Sequence, residues 1–350
     1  MSLSTRDGRT LARLPIVQAP MAGVSTPALA AAVSEAGALG SMALGALTPA
    51  AAEEAITATR ALTRAPIAWN LFCHAPAVAD AAREAAWLEA LAPAFASLDT
   101  QPPPVLRTPY ESFVEQDAML EVLLAARAEV VSFHFGLPRP DQIDRLKASG
   151  AFLIACATSA SEARACADAG MDFIVLQGIE AGGHRGCFDP RDPEPQALSS
   201  LLEAARAVVD VPLIAAGGLM SGEDIARVLA AGAIAAQLGT AFVPCAESSA
   251  APTHRAAIVE GGMSPEIIRS ISGRPARGFM KDWGSLPADA VPDYPIAYDA
   301  GKALAAAAKT AGSPRFDVHW SGTGAGRGRA LPAGALVARL AEELAAQGAA

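Results

Sequence analysis

The sequence predicts an α/β protein, a (β/α)8 TIM barrel with a small, mainly helical cap inserted after the eighth strand. Three observations carry this. Eight short apolar runs recur along the chain without clean polar alternation, the pattern of parallel strands buried on both faces. Amphipathic segments separate them, and several end in Ala-Gly or Ser-Gly, a helix stop before the next strand. The first run leads into Ala19-Pro-Met-Ala-Gly23, not into the glycine fingerprint of an open dinucleotide-binding sheet. Eight β-then-α units in succession point to a barrel.

Taken in order, strands are expected at Ile16–Ala19, Ala38–Met42, Ile67–Phe72, Val130–Phe135, Phe152–Ala155, Phe173–Gln177, Leu213–Ala216 and Ala233–Leu238. Helices are expected at Pro27–Ala36, Asp141–Ser149, Ser161–Ala169, Leu198–Val208 and Gly222–Ala231, with stops at Gly37, Gly150, Gly170 and Gly232. Residues 73–128 lengthen the third βα connection around a turn-rich Thr100–Val105. Residues 247–324, rich in Pro, Gly and charge, are expected to form the cap or substrate domain. The barrel then spans 1–246 and 325–350, its last helix over Gly334–Ala346. Gly322–Gly328 superficially resembles a dinucleotide fingerprint, but no strand follows the helix after it, so it reads as a glycine-rich loop.

Composition excludes several classes. At 52% apolar and 18% charged residues the chain is not disordered. It carries 27 basic and 36 acidic residues, net −9, with no basic run, which argues against a nucleic-acid-tracking surface. Five scattered cysteines without a C-x-x-C pair suggest a reduced intracellular protein with no metal site. The uncharged stretch Val228–Ala246 contains Gly232, Gln237, Gly239 and Pro244 and suits a buried strand better than a membrane span. The first fifteen residues lack the apolar core of a secretory signal, so a soluble cytoplasmic protein is expected.

Chemistry concentrates where strands are expected to end. Gly217 and Gly218 follow the seventh strand, and Gln237, Gly239 and Thr240 end the eighth. Glycines there let backbone N–H groups approach an anion, and barrels commonly bind phosphate at this place, although tight βα turns alone would also use them. After the sixth strand, Gln177 could hydrogen-bond an amide-like heteroring, and Gly182 and Gly183 could lie flat against it. His184 follows on a loop at the catalytic face of the barrel. His134 ends the fourth strand, two strands away, so its end should lie about 10 Å from that of the sixth. Whether His134 is a buried structural residue or a ligand contact stays open, as it does for Asn70, a polar residue in the apolar third strand that needs a partner. Tyr294, Tyr298 and Lys302 stand at i, i+4 and i+8 and would share one helix face, suiting either packing or a small anion. Met280–Gly284 could belong to the same lid.

Together, Pro15–Gly23, Asn70, Gly178–Gly186, Ala215–Gly218, Gln237–Thr240, the Tyr294/Tyr298/Lys302 set and the late Trp320–Ala333 segment resemble nitronate monooxygenase, an FMN-dependent barrel family. The resemblance implies that Met21, Ala22, Gly23, Asn70, Gln177, Gly182, Gly218, Gln237, Gly239 and Thr240 hold FMN, and that His184 is catalytic. It also implies that His134, Tyr294, Tyr298 and Lys302 line the substrate pocket. The family oxidises an alkyl nitronate, and in some cases a nitroalkane, with O2 to a carbonyl compound and nitrite. Expected partners are therefore a small anionic nitronate or nitroalkane and O2, with a homodimer as the candidate assembly. Two alternatives stand beside this: an NAD(P)H-dependent FMN reductase of quinones or enoyl thioesters on the same barrel, and a non-redox barrel that binds a phosphometabolite.

Overall fold

The computed structural model describes residues 2–4, 8–191, 195–280, 282–286 and 290–348. Lys281, in the Met280–Gly284 segment suggested as part of the lid, lies outside them. Eight parallel strands form the central sheet: β1 (Ile16–Gln18), β2 (Gly40–Ala43), β3 (Ile67–Phe72), β4 (Val130–His134), β5 (Phe152–Ala157), β6 (Phe173–Gln177), β7 (Leu213–Ala216) and β8 (Ala235–Leu238). Each pairs with its sequence neighbour from β2 to β8, and β8 pairs with β1. Closure comes from the residue just before β2, since Leu39 N donates to Ile16 O and Gln18 N to Leu39 O, both 2.9 Å. The sheet is a barrel, as the sequence predicts.

Side-chain alternation divides the core into two layers. Ile16, Trp69, Leu71, Val131, Phe133, Leu153, Ile174, Leu176, Ala215 and Leu238 point outward into the layer shared with the helices. Val17, Ala68, Val130, Ile154, Val175, Ile214 and Ala235 form a second apolar cluster, in which Leu3 and Leu11 from the N-terminal ribbon also take part. Continuing the inward alternation toward the strand C-termini gives Asn70, Ser132, His134, Gln177 and Gln237. The interior therefore changes from apolar to polar along the barrel axis, and the polar end is where a ligand can be recognised.

The outer helices are α1 (Pro27–Glu35), α2 (Pro49–Leu62), α3 (Ala81–Ala96), α4 (Asp117–Ala125), α5 (Pro140–Ala148), α6 (Ala160–Asp168), α7 (Leu198–Arg206), α8 (Gly222–Ala230), α9 (Pro252–Glu260), α10 (Ile296–Thr310) and α11 (Ala333–Ala346). Thr26, Thr48, Asp80, Ser159 and Ser221 cap α1, α2, α3, α6 and α8 with side-chain acceptors. The four expected stop glycines follow α1, α5, α6 and α8 with positive φ.

The region after β8 differs from the mainly helical expectation. Besides α9 and α10 it holds the short antiparallel strands Glu266–Ile268, Ala276–Phe279 and His319–Trp320. Ala276 and Arg277 also pair with Gly183–His184 from the β6 connection, tying this region directly to the barrel. Strands of two to four residues are too short to show periodicity in sequence, which is why they were not expected. The long third connection contributes α3, whose Trp87, Leu91 and Phe95 share one apolar cluster with Ile271, Trp283, Ala297 and Leu304.

Candidate active site

All fifteen residues singled out from the sequence line one cavity of ≈ 390 Å³ at the C-terminal ends of the strands. The barrel register explains much of this convergence. Gln177, Ala216 and Gln237 stand side by side on β6, β7 and β8, and Asn70 and Phe72 stand beside Ser132 and His134 on β3 and β4.

Asn70 is buried, and its Nδ2 donates to Ser132 O at 3.2 Å, to Ser132 Oγ at 3.0 Å and to His134 Nδ1 at 2.8 Å. The amide nitrogen can only donate, so His134 Nδ1 accepts and its ring proton sits on Nε2. Asn70 Oδ1 has no partner in the protein. A buried orphan acceptor on a cavity wall suits a ligand N–H. Gln177 lines the cavity too, but its amide braces the following loop. Its Oε1 accepts from Gly186 N at 2.8 Å and Arg185 Nη1 at 3.2 Å, and its Nε2 donates to His184 O at 3.1 Å.

The glycine cradle is built from three connections. Gly218 has φ +70°, a backbone conformation that disfavours side chains, and a Cβ there would lie 3.0 Å from Thr323 Oγ1 and 3.1 Å from Glu180 Cβ. A Cβ on Gly182 would lie 2.4 Å from Gly322 N. Gly322 N donates to Thr240 Oγ1 at 2.9 Å, so the late glycine loop seals the cradle against the β6 and β8 connections. The N-terminus of α8, which follows this loop, is occupied by its own capping box. Met220 N, Ser221 N and Asp224 N already donate to Asp224 or Ser221 side chains. Arg227 and Arg327 balance the Asp224 carboxylate. An anion at this loop would thus meet the Gly217–Gly218 backbone rather than these amides.

The same cavity has an aromatic wall. His184 is on the short strand Gly183–His184, not on an irregular loop, and its Nε2 lies 2.8 Å from Ser272 Oγ. Trp320, Tyr298, Tyr294 and Phe135 surround its ring at centroid distances of 4.9, 5.6, 5.8 and 6.1 Å. His134 also packs on Phe135, at 6.0 Å, so the two histidines flank one phenyl ring. Burial and, secondarily, the Arg274 cation push the proton affinity of His184 down to about 3 and that of His134 to about 4. Both imidazoles are therefore neutral at neutral pH.

Tyr298 and Lys302 share a face of α10, whereas Tyr294 reaches in from just before that helix. The sequence did not single out Tyr110, Phe135, Ser272, Arg274 or Trp320. Tyr110 Oη donates to Tyr294 Oη at 2.7 Å, and Lys302 Nζ lies 4.9 Å from both the Tyr110 and Tyr298 ring centroids. The chain has three tyrosines, and all three meet at this wall. That scarcity was the available signal for Tyr110.

Fold and site together define a (β/α)8 barrel enzyme whose cavity joins polar, glycine-lined connections to aromatic and cationic side chains. The nitronate monooxygenase family profile matches residues 8–343, and the chain belongs to that family. It is 50% identical over 339 residues to a nitronate monooxygenase of Paraburkholderia phytofirmans, covering 94% of this chain and 92% of the relative. A nitronate monooxygenase of Pseudomonas aeruginosa is 46% identical over 343 residues, covering 94% and 96%. Among solved structures, a nitroalkane oxidase from Streptomyces ansochromogenes superposes with TM-score 0.88 at 40% identity, covering 96% of this chain and 97% of that one. FabK from Thermotoga maritima is more distant, with TM-score 0.71 at 26% identity and coverage of 96% and 94%.

Proposed function

We propose that the protein binds FMN and oxidises alkyl nitronates with O2 to a carbonyl compound and nitrite. One observation carries this reading: a single cavity joins the unpartnered Asn70 Oδ1 and a glycine cradle to His184, Tyr294, Tyr298 and Lys302. The first set fits a planar heterocycle with a single phosphate, and the second fits a small anion. FMN is preferred over FAD because the chain has one such cradle and no dinucleotide fingerprint.

Asn70 Oδ1 would accept a ring N–H; Met21, Ala22, Gly23, Gln177 and Gln237 would bound the ring and its side chain; Gly182, Gly218, Gly239 and Thr240 would hold the phosphate end. The flavin supplies the electron transfer between nitronate and O2. The protein holds the anion in place and limits water around it. With Nε2 accepting from Ser272 Oγ, neutral His184 would carry its proton on Nδ1 and donate it to the nitronate oxygens. A nitrogen whose proton affinity has fallen to about 3 is a poor base for a weak carbon acid, so the nitronate is the preferred form over the neutral nitroalkane. Segment 247–324 acts as the substrate-side cap.

The test is direct. Heat-released flavin should chromatograph as FMN at one per chain, and propionate 3-nitronate in air should yield nitrite. Stoichiometric FAD, or a colourless protein that takes up no flavin, overturns the cofactor assignment. Absence of nitrite together with fast anaerobic flavin reduction by NAD(P)H overturns the reaction in favour of a reductase.

A further inference from the structure

Behind the aromatic wall lies a charge without an obvious balance. Arg274, between the strands Glu266–Ile268 and Ala276–Phe279, is 2% exposed. Its Nη1 donates to the carbonyls of Cys187 and Arg185, and its Nε has no partner. The guanidinium carbon sits 4.3 Å from the Phe135 ring centroid and 5.1 Å from that of Tyr294, and both rings line the cavity. Among the described residues it forms no ion pair. Two carboxylates lie in its neighbourhood: Glu162 has its oxygens taken by Thr158 and Phe188, and Asp189 is paired with Arg191. Arg185, also 2% exposed, is held by the carbonyls of Gln177 and Gly178, and its Nε and Nη2 are likewise unpartnered.

Buried charges are ordinarily paired, because carbonyls and ring faces replace lost hydration only in part. Here the two rings that meet Arg274, Phe135 and Tyr294, also line the cavity. Lys302, the other cation of the site, is an exposed residue of α10, and Asp299 lies nearby to offset its charge.

We propose that Arg274 is the specificity-determining charge of this cavity: the anionic head of the bound substrate balances its buried guanidinium through the Phe135–Tyr294 wall, selecting the nitronate over its neutral conjugate acid. The proposal rests on the nitronate reading above and adds a residue that touches neither substrate nor flavin. Its effect is that of a positioning charge. The same cation faces His184, whose other neighbours are Ser272, Tyr294, Tyr298, Phe135 and Trp320, and it opposes protonation of that ring.

The experiment uses the flavin-loaded enzyme as wild type, Arg274→Lys, Arg274→Met and Arg274→Gln. Each is melted with sodium nitrate, a planar anion shaped like the nitronate head, against sodium chloride at equal ionic strength. Nitrate should raise the melting temperature of wild type and Arg274→Lys but not of the two neutral variants. KM for propionate 3-nitronate should rise about tenfold in Arg274→Met and Arg274→Gln, the effect of one charge at roughly 10 Å in an effective dielectric near 20. The turnover number should fall less, and His184, followed by NMR of labelled histidine, should protonate at higher pH in the neutral variants. Nitrate shifts and KM values in a neutral variant equal to wild type overturn the proposal. So does an Arg274→Lys protein that behaves like Arg274→Met. If Arg274→Met does not fold, Arg274→Gln, which keeps a donor for the Cys187 carbonyl, decides on the same measurements. A wild type that binds nitrate yet makes no nitrite from nitronate overturns the functional reading, while the nitrate comparison still judges Arg274.

Discussion

At the scale of single residues, the site depends on which atoms are already engaged. His184 Nε2 is taken up by Ser272, and the ring is kept neutral by burial and Arg274. His184→Asn should therefore load flavin normally yet oxidise nitronate about 10²-fold more slowly, since a positioned hydrogen-bonding group is lost. Turnover per bound flavin measures this, and unchanged turnover would remove His184 from the mechanism. In wild type, the pH profile of kcat with preformed nitronate should show no ionisation of His184 between pH 5 and 8, because its proton affinity lies near 3. Asn70 and His184 were legible in sequence because strand ends advertise polar residues in apolar runs. Arg274, Ser272 and Trp320 were not, because they sit in or beside cap strands with no periodicity and act through neighbours far away in the chain.

At the scale of elements, the connections after β6, β7 and β8 matter more than the strands they follow. The glycines that read as tight turns are also points of close backbone approach, and the structure separates the two roles. Gly37, Gly150, Gly170 and Gly232 end helices, whereas Gly182 and Gly218 face neighbouring connections at contact distance. Gly218→Asp would force a side chain into the +70° conformation, against Thr323 and Glu180, and put a carboxylate beside the expected phosphate. The backbone strain alone costs about 1–2 kcal/mol. Flavin occupancy, read from the ratio of visible to ultraviolet absorbance, should fall below about one-tenth of wild type, with Gly218→Ala intermediate. Full occupancy in Gly218→Asp would place the phosphate elsewhere. The barrel strands, and the helices expected beside them, agreed with the sequence to within a few residues, helped by glycine stops after α1, α5, α6 and α8. The antiparallel strands of the cap did not show, since they are too short for periodicity and one of them pairs with a segment almost a hundred residues away, Ala276 with His184.

At the scale of the whole molecule, the polar end of the barrel holds neutral histidines in a setting that resists their protonation, and this ties folding to pH. Burial lowers the proton affinity of His74 and His184 to about 3 and of His134 and His254 to about 4. In the unfolded chain each returns to about 6.5. Between these values the unfolded state binds more protons than the folded one, so stability rises with pH through that window. It is fully present above about 6.5 and is lost as pH falls toward 4. Each such histidine can contribute a slope of at most about 1.4 kcal/mol per pH unit. His74 isolates the effect. It is buried against Tyr110 and Tyr294 but does not line the cavity, and its Nδ1 has no partner. His74→Leu should leave flavin bound and flatten the dependence of unfolding free energy on pH between 7 and 5.5 by up to that amount, measured by urea titration at each pH. A slope equal to wild type would mean that His74 takes up its proton as readily in the folded protein as in the unfolded chain, so that neither its burial nor the Arg274 charge opposes a cation there.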